Sequence, residues 1–302
     1  MIRYQRTLKN TVSCEGIGLH SGKNVRMVLN PAAEDTGIVF VRTDIGGAEI
    51  KAVASNTGGT NYATTLRQNG ASVQTVEHLL AAFAGLGIDN ARIAINGEEL
   101  PVLDGSAGPF VRLIAEAGVV NQEKLRPMIK VIRPVIVREG NKQLAIWPSE
   151  TASISCYIDF DHPLLKEQSY SCTLSEENFI REVADARTFG FLRDVEALRA
   201  NGLARGGSLE NAVILDDASV LNTDGLRYRD EFVRHKILDL IGDLSLVGMP
   251  LIGHVVAHKS GHGLNTRLAA KLFEDRQNWV LVGSTEEPAR PMETSYPYQM
   301  AL

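Results

Sequence analysis

The sequence contains few cysteines and lacks the long apolar run that a membrane-spanning helix needs. Its three cysteines, Cys14, Cys156 and Cys172, are far apart and form no C-x-x-C pair. This spacing excludes a disulfide framework and a cysteine-based zinc site, and it favours a reducing compartment. The longest apolar run, at residues 79–88, is about half as long as the roughly 20 residues that cross a bilayer.

An excess of positive charge is also missing. The formal net charge is −5, so a nucleic-acid partner would have no electrostatic support. The first residues, MIRYQRTLKN, carry basic side chains with no apolar segment behind them, which argues against a secretory signal. From these absences we expect a cytoplasmic protein with no transmembrane segment and no nucleic-acid partner.

What is present indicates two similar domains. A chain of 302 residues is long enough for two ordinary cores. The order of strand, turn, strand and proline that ends at Pro31 recurs over residues 129–148, and the apolar segment and glycine that follow His78 have a counterpart after His235. The predicted fold class is therefore α+β, with each domain a mainly antiparallel sheet that has two helices on one face.

Changes in composition and the positions of proline and glycine indicate the domain limits. We predict a first domain at 1–126 and a second at 127–286, with an insertion at about 190–222 that contains its own helix at 193–200. Residues 287–302 are rich in Pro, Glu and Ser and are predicted to form a flexible tail. The clearest elements in the two domains are strands at 24–29, 37–41, 91–95, 129–137 and 142–147, and helices at 75–86 and 110–117.

The most informative segment is a predicted helix at 227–248. At about 100° per residue, His235, Asp239 and Asp243 form a narrow polar stripe, with Lys236 at its edge. Apolar residues occupy the opposite face, which is typical of a helix packed on a core. Solvated helix faces usually mix more kinds of charged residue, so this stripe indicates a bound ligand or a buried polar network.

The stripe contains a candidate metal site. His235 and Asp239 are four residues apart, so both can reach one ion, although a hydrogen bond that ties two layers together explains the pair as well. His78 is the candidate third ligand because a solvated histidine would be out of place near the start of an apolar helix. Two histidines and one aspartate are a ligand set of catalytic zinc sites, which leave one position for water.

Two further residues are candidates for proton transfer. Glu77 can face the same cavity and act as a general base. Alternatively, its carboxylate only interacts with the positive end of the helix dipole in the first turn. His262 lies between two glycines after a predicted strand, so we expect a loop that presents its side chain, with Asp243 holding the imidazole protonated.

His254 and His258 form a rival metal pair only if their segment is helical. Its β-branched residues predict a strand, on which they would be about 13 Å apart.

Several segments together resemble one enzyme family. They occur in the order TVEHL (75–79), LGIDN (86–90), LDGSAGPF (103–110), ARTFGF (186–191), LN (221–222), DGL (224–226), DEFVRHKILD (230–239) and KSGH (259–262). This series is similar to the UDP-3-O-acyl-N-acetylglucosamine deacetylases of lipid A biosynthesis in Gram-negative bacteria, from the first strand to about Leu272. The resemblance implies zinc-dependent hydrolysis of the N-acetyl group of a UDP-linked, acylated amino sugar, on a fold whose helices pack between two sheets.

The resemblance also implies a role for each site residue. It implies zinc on His78, His235 and Asp239. Glu77 would then be the general base and His262 the general acid, supported by Asp243. Further implied contacts are an oxyanion hydrogen bond from Thr188, a diphosphate contact from Lys236, stacking of Phe160 on uracil, substrate or acyl-chain contacts from Phe189, Phe191 and Leu198, and a cavity position for His20.

Other interpretations remain open at this stage. Ordinary core packing explains Phe191 and Leu198 equally well. Another zinc amidase such as a peptidase is possible, although the sequence has no H-E-x-x-H motif. A non-catalytic lipid or nucleotide-sugar binding protein with a structural metal would instead have four protein ligands and no open position. The apolar end at 298–302 is either a handle for a protease or a frayed terminus.

Overall fold

The computed structural model describes residues 4–284. The strands of the first half are β1 (Tyr4–Leu8), β2 (Val12–Ile17), β3 (Asn24–Pro31), β4 (Ile38–Arg42), β5 (Ala48–Lys51), β6 (Thr57–Gly59), β7 (Thr65–Gln68), β8 (Ala71–Gln74), β9 (Ala91–Ile95) and β10 (Val119–Leu125). Its helices are α1 (Glu77–Leu86) and α2 (Gly108–Ala117).

The second half has more elements because of its insertion. Its strands are β11 (Met128–Val131), β12 (Val135–Glu139), β13 (Lys142–Trp147), β14 (Ser153–Ile158), β15 (Gln168–Thr173), β16 (Phe189–Phe191), β17 (Val213–Leu215), β18 (Leu251–Ile252), β19 (His254–His258) and β20 (Trp279–Val282). Its helices are α3 (Glu176–Glu182), α4 (Leu192–Ala200), α5 (Glu231–Leu244) and α6 (His262–Leu272).

Two five-stranded sheets share one topology. Their strand orders are β2-β3-β9-β4-β5 and β12-β13-β19-β14-β15. In each sheet one central pair is parallel, β4 with β9 and β14 with β19, while the other neighbours are antiparallel. Alternating burial along β14, where Ile154, Cys156 and Ile158 are buried, shows that one face of its sheet covers the core. The predicted α+β class and the internal repeat are confirmed.

The helices α1 and α5 are in direct contact at the centre of the molecule. Nearly all of their residues are buried, so both helices are covered on all sides. Helix α5 packs on β14 and β15, while α6 packs on β12 and β13. The backbones meet at Gly242 of α5, where an added Cβ would lie 2.1 Å from the carbonyl oxygen of Glu77. This contact requires glycine and holds the start of α1 beside the last turn of α5.

Smaller sheets complete the two halves. Strand β1 pairs with β10, and β11 pairs with β18 and β20. Within the insertion, β16 pairs with β17 in parallel. The insertion also reaches the first half, because the amide of Arg205 donates to the carbonyl of His20 at 3.2 Å. The boundary at residue 126 and the limits of the insertion stay predictions.

Three expected elements have different limits. The strand predicted at 129–137 is two strands, β11 and β12, because Pro134 follows β11 and has no amide hydrogen for a ladder. Helix α1 begins at Glu77 rather than Thr75, since Thr75 has a left-handed φ of 57°. The helix predicted at 227–248 spans only α5, followed by a 3₁₀ turn at Ser245–Val247.

The predicted loop at His262 is wrong. His262 is the first residue of α6, and Gly261 precedes it in an extended conformation. Leu264, Leu268 and Leu272 recur at a spacing of four and are all buried, so this helix is held by its apolar face. The side chain is therefore presented from a helix terminus packed on the core.

Two expectations concern membranes and the tail. Within residues 4–284 no helix has the length and hydropathy to cross a bilayer. The predicted tail at 287–302, with its proposed protease handle, lies outside the described residues.

Candidate functional site

Three buried side chains converge where α1 meets α5. His78 comes from the first turn of α1, while His235 and Asp239 lie one turn apart on α5. Their ligand atoms all lie within 4.8 Å of one another. The Oδ1 atom of Asp239 is 3.6 Å from Nε2 of His78 and 3.3 Å from Nε2 of His235. The predicted pair on α5 and the predicted partner from the other half are therefore neighbours.

The surroundings of His235 and Asp239 keep these two groups in the protonation states that a metal needs. Nδ1 of His235 lies 3.0 Å from the carbonyl oxygen of Ala186, which can only accept, so Nε2 carries the lone pair. Burial lowers the pKa of His235 to about 3, which keeps the ring neutral. Burial opposes the charge of Asp239, but His235 and Lys236 hold its pKa well below the ordinary value.

This donor set fits a divalent cation. A site with two neutral imidazoles and one carboxylate suits zinc, and three protein ligands leave room for a fourth. Among residues 4–284, His78, His235 and Asp239 are the only group of three His, Cys, Asp or Glu side chains close enough to share an ion. The geometry supports a metal centre at this group.

Glu77 lies beside the three ligands without joining their group. Its side chain is buried, and Oε2 accepts a hydrogen bond of 3.0 Å from the amide of Thr64. Burial raises the pKa of Glu77, which makes its carboxylate a stronger base.

His262 is held by Asp243. Its Nδ1 lies 2.8 Å from Oδ2 of Asp243, and its Nε2 lies 4.0 Å from Oδ2 of Asp239. One ring nitrogen is thus engaged, while the other faces the ligand group. Burial disfavours the charged ring, but Asp243 outweighs it and raises the pKa of His262 to about 9. The predicted pairing of these two residues is confirmed.

Asp243 has two partners that sequence patterns do not reveal. The hydroxyl of Thr64 donates to Oδ1 at 2.5 Å, and the amide of Asn265 donates to Oδ2 at 2.9 Å. Thr64 is 179 positions away in the chain, and it belongs to no motif that we identified. No local signal could have found it.

Thr188 and Lys236 lie in segments that border the ligand group. Lys236 donates from Nζ to Oδ2 of Asp239 at 2.5 Å. The backbone of Thr188 bonds to Gly105 and to Val213, both at 2.8 Å, two residues after the carbonyl that receives His235. Arg187, which lies between Ala186 and Thr188 in the chain, is fully buried. Its Nε lies 2.8 Å from Oε1 of the equally buried Glu231. This ion pair fixes the 186–188 segment on the first turn of α5.

The three predicted aromatic residues form one cluster. The ring of Phe160 lies 5.6 Å from that of Phe189 and 6.1 Å from that of Phe191. Phe189 is also 6.3 Å from the ring of His235, so the cluster reaches the ligand group. Leu198 is half-buried on α4 and is not part of the main core. The structure joins the aromatic residues to the ligand group, and the role of Leu198 stays a prediction.

His20 lies in the turn that the insertion contacts. Its side chain is buried, its Nδ1 accepts a long bond of 3.4 Å from the amide of Ala204, and its Nε2 has no hydrogen-bond partner in the described part of the chain.

The rival metal pair is excluded because His254 and His258 lie on strand β19, as predicted. His254 instead contacts the hydroxyl of Ser155 at 2.9 Å.

Comparison with known proteins identifies the family of this chain. A sequence model of the family described as UDP-3-O-acyl N-acetylglycosamine deacetylase matches residues 5–274. A protein of Myxococcus xanthus named UDP-3-O-acyl-N-acetylglucosamine deacetylase is 51% identical over 290 residues, covering 96% of this chain and 91% of the relative. Proteins of the same name from Syntrophus aciditrophicus and Marinobacter nauticus are each 50% identical, over 92% and 98% of this chain and 88% and 98% of their own lengths. The resemblance read from the motifs is confirmed, and the chain belongs to the UDP-3-O-acyl N-acetylglycosamine deacetylase family.

Proposed function

We propose that this protein hydrolyses the N-acetyl group of UDP-3-O-(3-hydroxyacyl)-N-acetylglucosamine, giving the free amine and acetate, with zinc as its cofactor. This is the deacetylation step of lipid A biosynthesis. The observation that carries the proposal is the convergence of Glu77 and His262 on the group formed by His78, His235 and Asp239. That arrangement provides the groups that an unactivated amide requires for hydrolysis.

The metal would be held by His78, His235 and Asp239. When bound there, zinc supplies Lewis-acid chemistry, polarising the amide carbonyl and acidifying a water molecule. The carbonyl of Ala186 orients His235 for this role, since a ligand imidazole is fixed by the partner of its other nitrogen.

Glu77 takes the proton of the attacking water. Burial raises its pKa, and the Thr64 amide fixes one carboxylate oxygen, so the other is available. His262 supplies the second proton. Its pKa near 9 keeps it charged at neutral pH, so it can stabilise negative charge and protonate the departing nitrogen.

The remaining site residues would bind the substrate. Lys236 would meet the diphosphate, Thr188 the oxyanion and Phe160 the uracil. The cluster of Phe160, Phe189 and Phe191 continues from the ligand group into the insertion, which supports an acyl passage that also uses Leu198. His20 would line the cavity on the side of the first half.

The test combines metal content with product formation. We expect the purified protein to contain one zinc and to release free amine from the acetylated sugar nucleotide. Asp239→Ala should lose both zinc and activity. Glu77→Gln should keep zinc and lose about 10²–10⁴-fold in turnover. Full zinc and activity in Asp239→Ala would refute the ligand assignment. A metal-containing protein with no amine release would favour a binding protein with a structural metal.

We also propose that the enzyme works in the cytoplasm, which the three unpaired cysteines support. A protease acting on the apolar residues 298–302 would set its lifetime there. Deleting residues 292–302 should then lengthen the lifetime of the protein in cells, and an unchanged lifetime would rule this partner out.

A further inference from the structure

Thr64 forms hydrogen bonds with both the candidate base, Glu77, and Asp243, the residue that supports the candidate acid. Its amide donates to Oε2 of Glu77 at 3.0 Å, and its hydroxyl donates to Oδ1 of Asp243 at 2.5 Å. The same hydroxyl oxygen lies 3.3 Å from Nδ1 of His262. Thr64 therefore links Glu77, on α1, to a carboxylate and an imidazole that belong to α5 and α6.

The position of Thr64 is fixed by its backbone. It lies just before β7, and its carbonyl accepts a bond of 3.4 Å from the amide of Val76, the residue that precedes α1. Its amide and carbonyl are both engaged with the start of α1, so the hydroxyl has a defined direction. Thr64 has no solvent exposure, which means that water cannot replace that hydroxyl without a rearrangement.

We propose that Thr64 is a positioning residue for the deacetylation. It aligns Glu77 through its amide, and it aligns His262 through Asp243 with its hydroxyl. The inference rests on the proposed function for the roles of Glu77 and His262, but the hydrogen bonds that carry it do not depend on the substrate. In the part of the chain that the structure describes, the side chain of Thr64 is hydrogen-bonded to Asp243 and lies near His262, and it bonds to none of the three candidate ligands.

The hydroxyl sets the orientation of Asp243. The carboxylate is completely buried and receives donors on both oxygens, from Thr64 on Oδ1 and from His262 and Asn265 on Oδ2. Without the hydroxyl, Oδ1 would lack its donor and the carboxylate could rotate. The hydrogen bond between Oδ2 and the imidazole would then be less well aligned. The proton of His262 would then be misplaced relative to the leaving nitrogen, and positional errors of this kind lower turnover more than binding.

Four variants isolate the hydroxyl. Thr64→Val keeps the shape and the backbone amide but removes the donor, while Thr64→Ser keeps the donor. Thr64→Ala, compared with Thr64→Ser, tests the hydroxyl again without the methyl group if the valine variant does not fold. Thr65→Val is the matched control, because strand alternation turns its side chain to the other face, where it lies beside Gly59.

We expect Thr64→Val to lower kcat by about 10–100-fold with KM and zinc content unchanged. Thr64→Ser should restore kcat, and Thr65→Val should match the wild type. In the holoenzyme, the downfield proton signal of His262 Nδ1 in NMR spectra should shift in Thr64→Val and return in Thr64→Ser. A wild-type kcat in Thr64→Val, or an equal loss in Thr64→Ser, would overturn the inference.

The two proposals fail in different ways. If the wild-type protein releases no amine, the proposed function fails, and the NMR signal of His262 still tests the contact with Thr64. If the wild type is active and the hydroxyl-free variants keep both kcat and the signal, only the role of Thr64 fails.

Discussion

The imidazole of His262 and the carboxylate of Asp243 form a buried ion pair, with 2.8 Å between Nδ1 and Oδ2. Asp243 has no solvent exposure, so its charge acts on the ring with little screening. The pair joins the first residue of α6 to the last turn of α5 and raises the pKa of His262 to about 9. Asp243 is therefore the main support of the charged form of this histidine, and Asp239 and Glu77 also raise its pKa.

Activity should fall as pH rises through about 9, the pKa of His262, because the protonated ring is the form present below that value. Asp243→Asn removes the opposite charge, so the pKa of His262 falls and the alkaline limb of kcat/KM moves to lower pH. A kcat/KM profile between about pH 6 and pH 10 measures this limb. Asp275→Asn, at an exposed turn, is the control and should leave the limb in place. An unmoved limb in Asp243→Asn would show that another group titrates there.

Gly242→Ala should destabilise the protein because its Cβ would lie 2.1 Å from the carbonyl oxygen of Glu77. The added methyl group would push α1 away from α5, and overpacking of this kind typically lowers the free energy of unfolding by about 1–3 kcal/mol. Since His78 is carried on α1, zinc affinity should fall as well. Denaturant unfolding and zinc titration measure the two effects.

Gly263→Ala is the matched control for this helix contact. Its Cβ would lie 3.5 Å from Oγ1 of Thr60, an ordinary distance, and alanine favours a helix. We expect unchanged or slightly higher stability. Equal stability losses at Gly242 and Gly263 would mean that the close approach of α1 and α5 is not the cause.

The polar stripe on α5 could be predicted because a helix repeats every 3.6 residues, and His235, Asp239 and Asp243 therefore share a face. Adding His78 required only that a histidine in an apolar helix needs a partner. In both cases the period of one helix carries the information, and its limits matter little. In the pairing of His262 with Asp243, the period of α5 places only Asp243. His262 was selected by its two flanking glycines, and the helix that presents it was not expected.

Other parts of the site depend on contacts that no local pattern encodes. Thr64 reaches Asp243 across 179 positions, and its importance comes only from where the chain folds. The late start of α1 depends on the left-handed backbone of Thr75, and sequence propensity disfavours that conformation for threonine. Tertiary packing overrode local preference at these residues.

Glu231→Gln should strongly destabilise the protein by leaving the buried Arg187 without its main counter-charge. Glu231 has no exposure and also accepts hydrogen bonds from the amides of Arg187 and Arg227. Breaking one partner of a buried pair costs about 3–5 kcal/mol. Zinc affinity should also fall, since the 186–188 segment orients His235.

The control for this ion pair is Glu177→Gln. Glu177 pairs with Arg181 on the surface, where both side chains are largely exposed, so the melting temperature should not change. Both variants remove one carboxylate charge, so a difference between them does not come from net charge. A melting temperature for Glu231→Gln equal to that of Glu177→Gln would contradict the structural role of the buried pair.

Leu198→Ala distinguishes an acyl passage from ordinary core packing. Leu198 is half-buried and lies outside the main core, whereas Phe191 packs against that core. Truncating Leu198 should therefore leave the unfolding free energy within about 0.5 kcal/mol of the wild type, and truncating Phe191 should lower it. If Leu198 lines the passage, kcat/KM should fall about tenfold for long acyl chains and little for short ones, since a few lost methylene contacts are worth about 1–3 kcal/mol. Ile180→Ala, an exposed apolar residue on α3, is the control for truncation at the surface. An equal loss of kcat/KM at every acyl length would place Leu198 outside the passage.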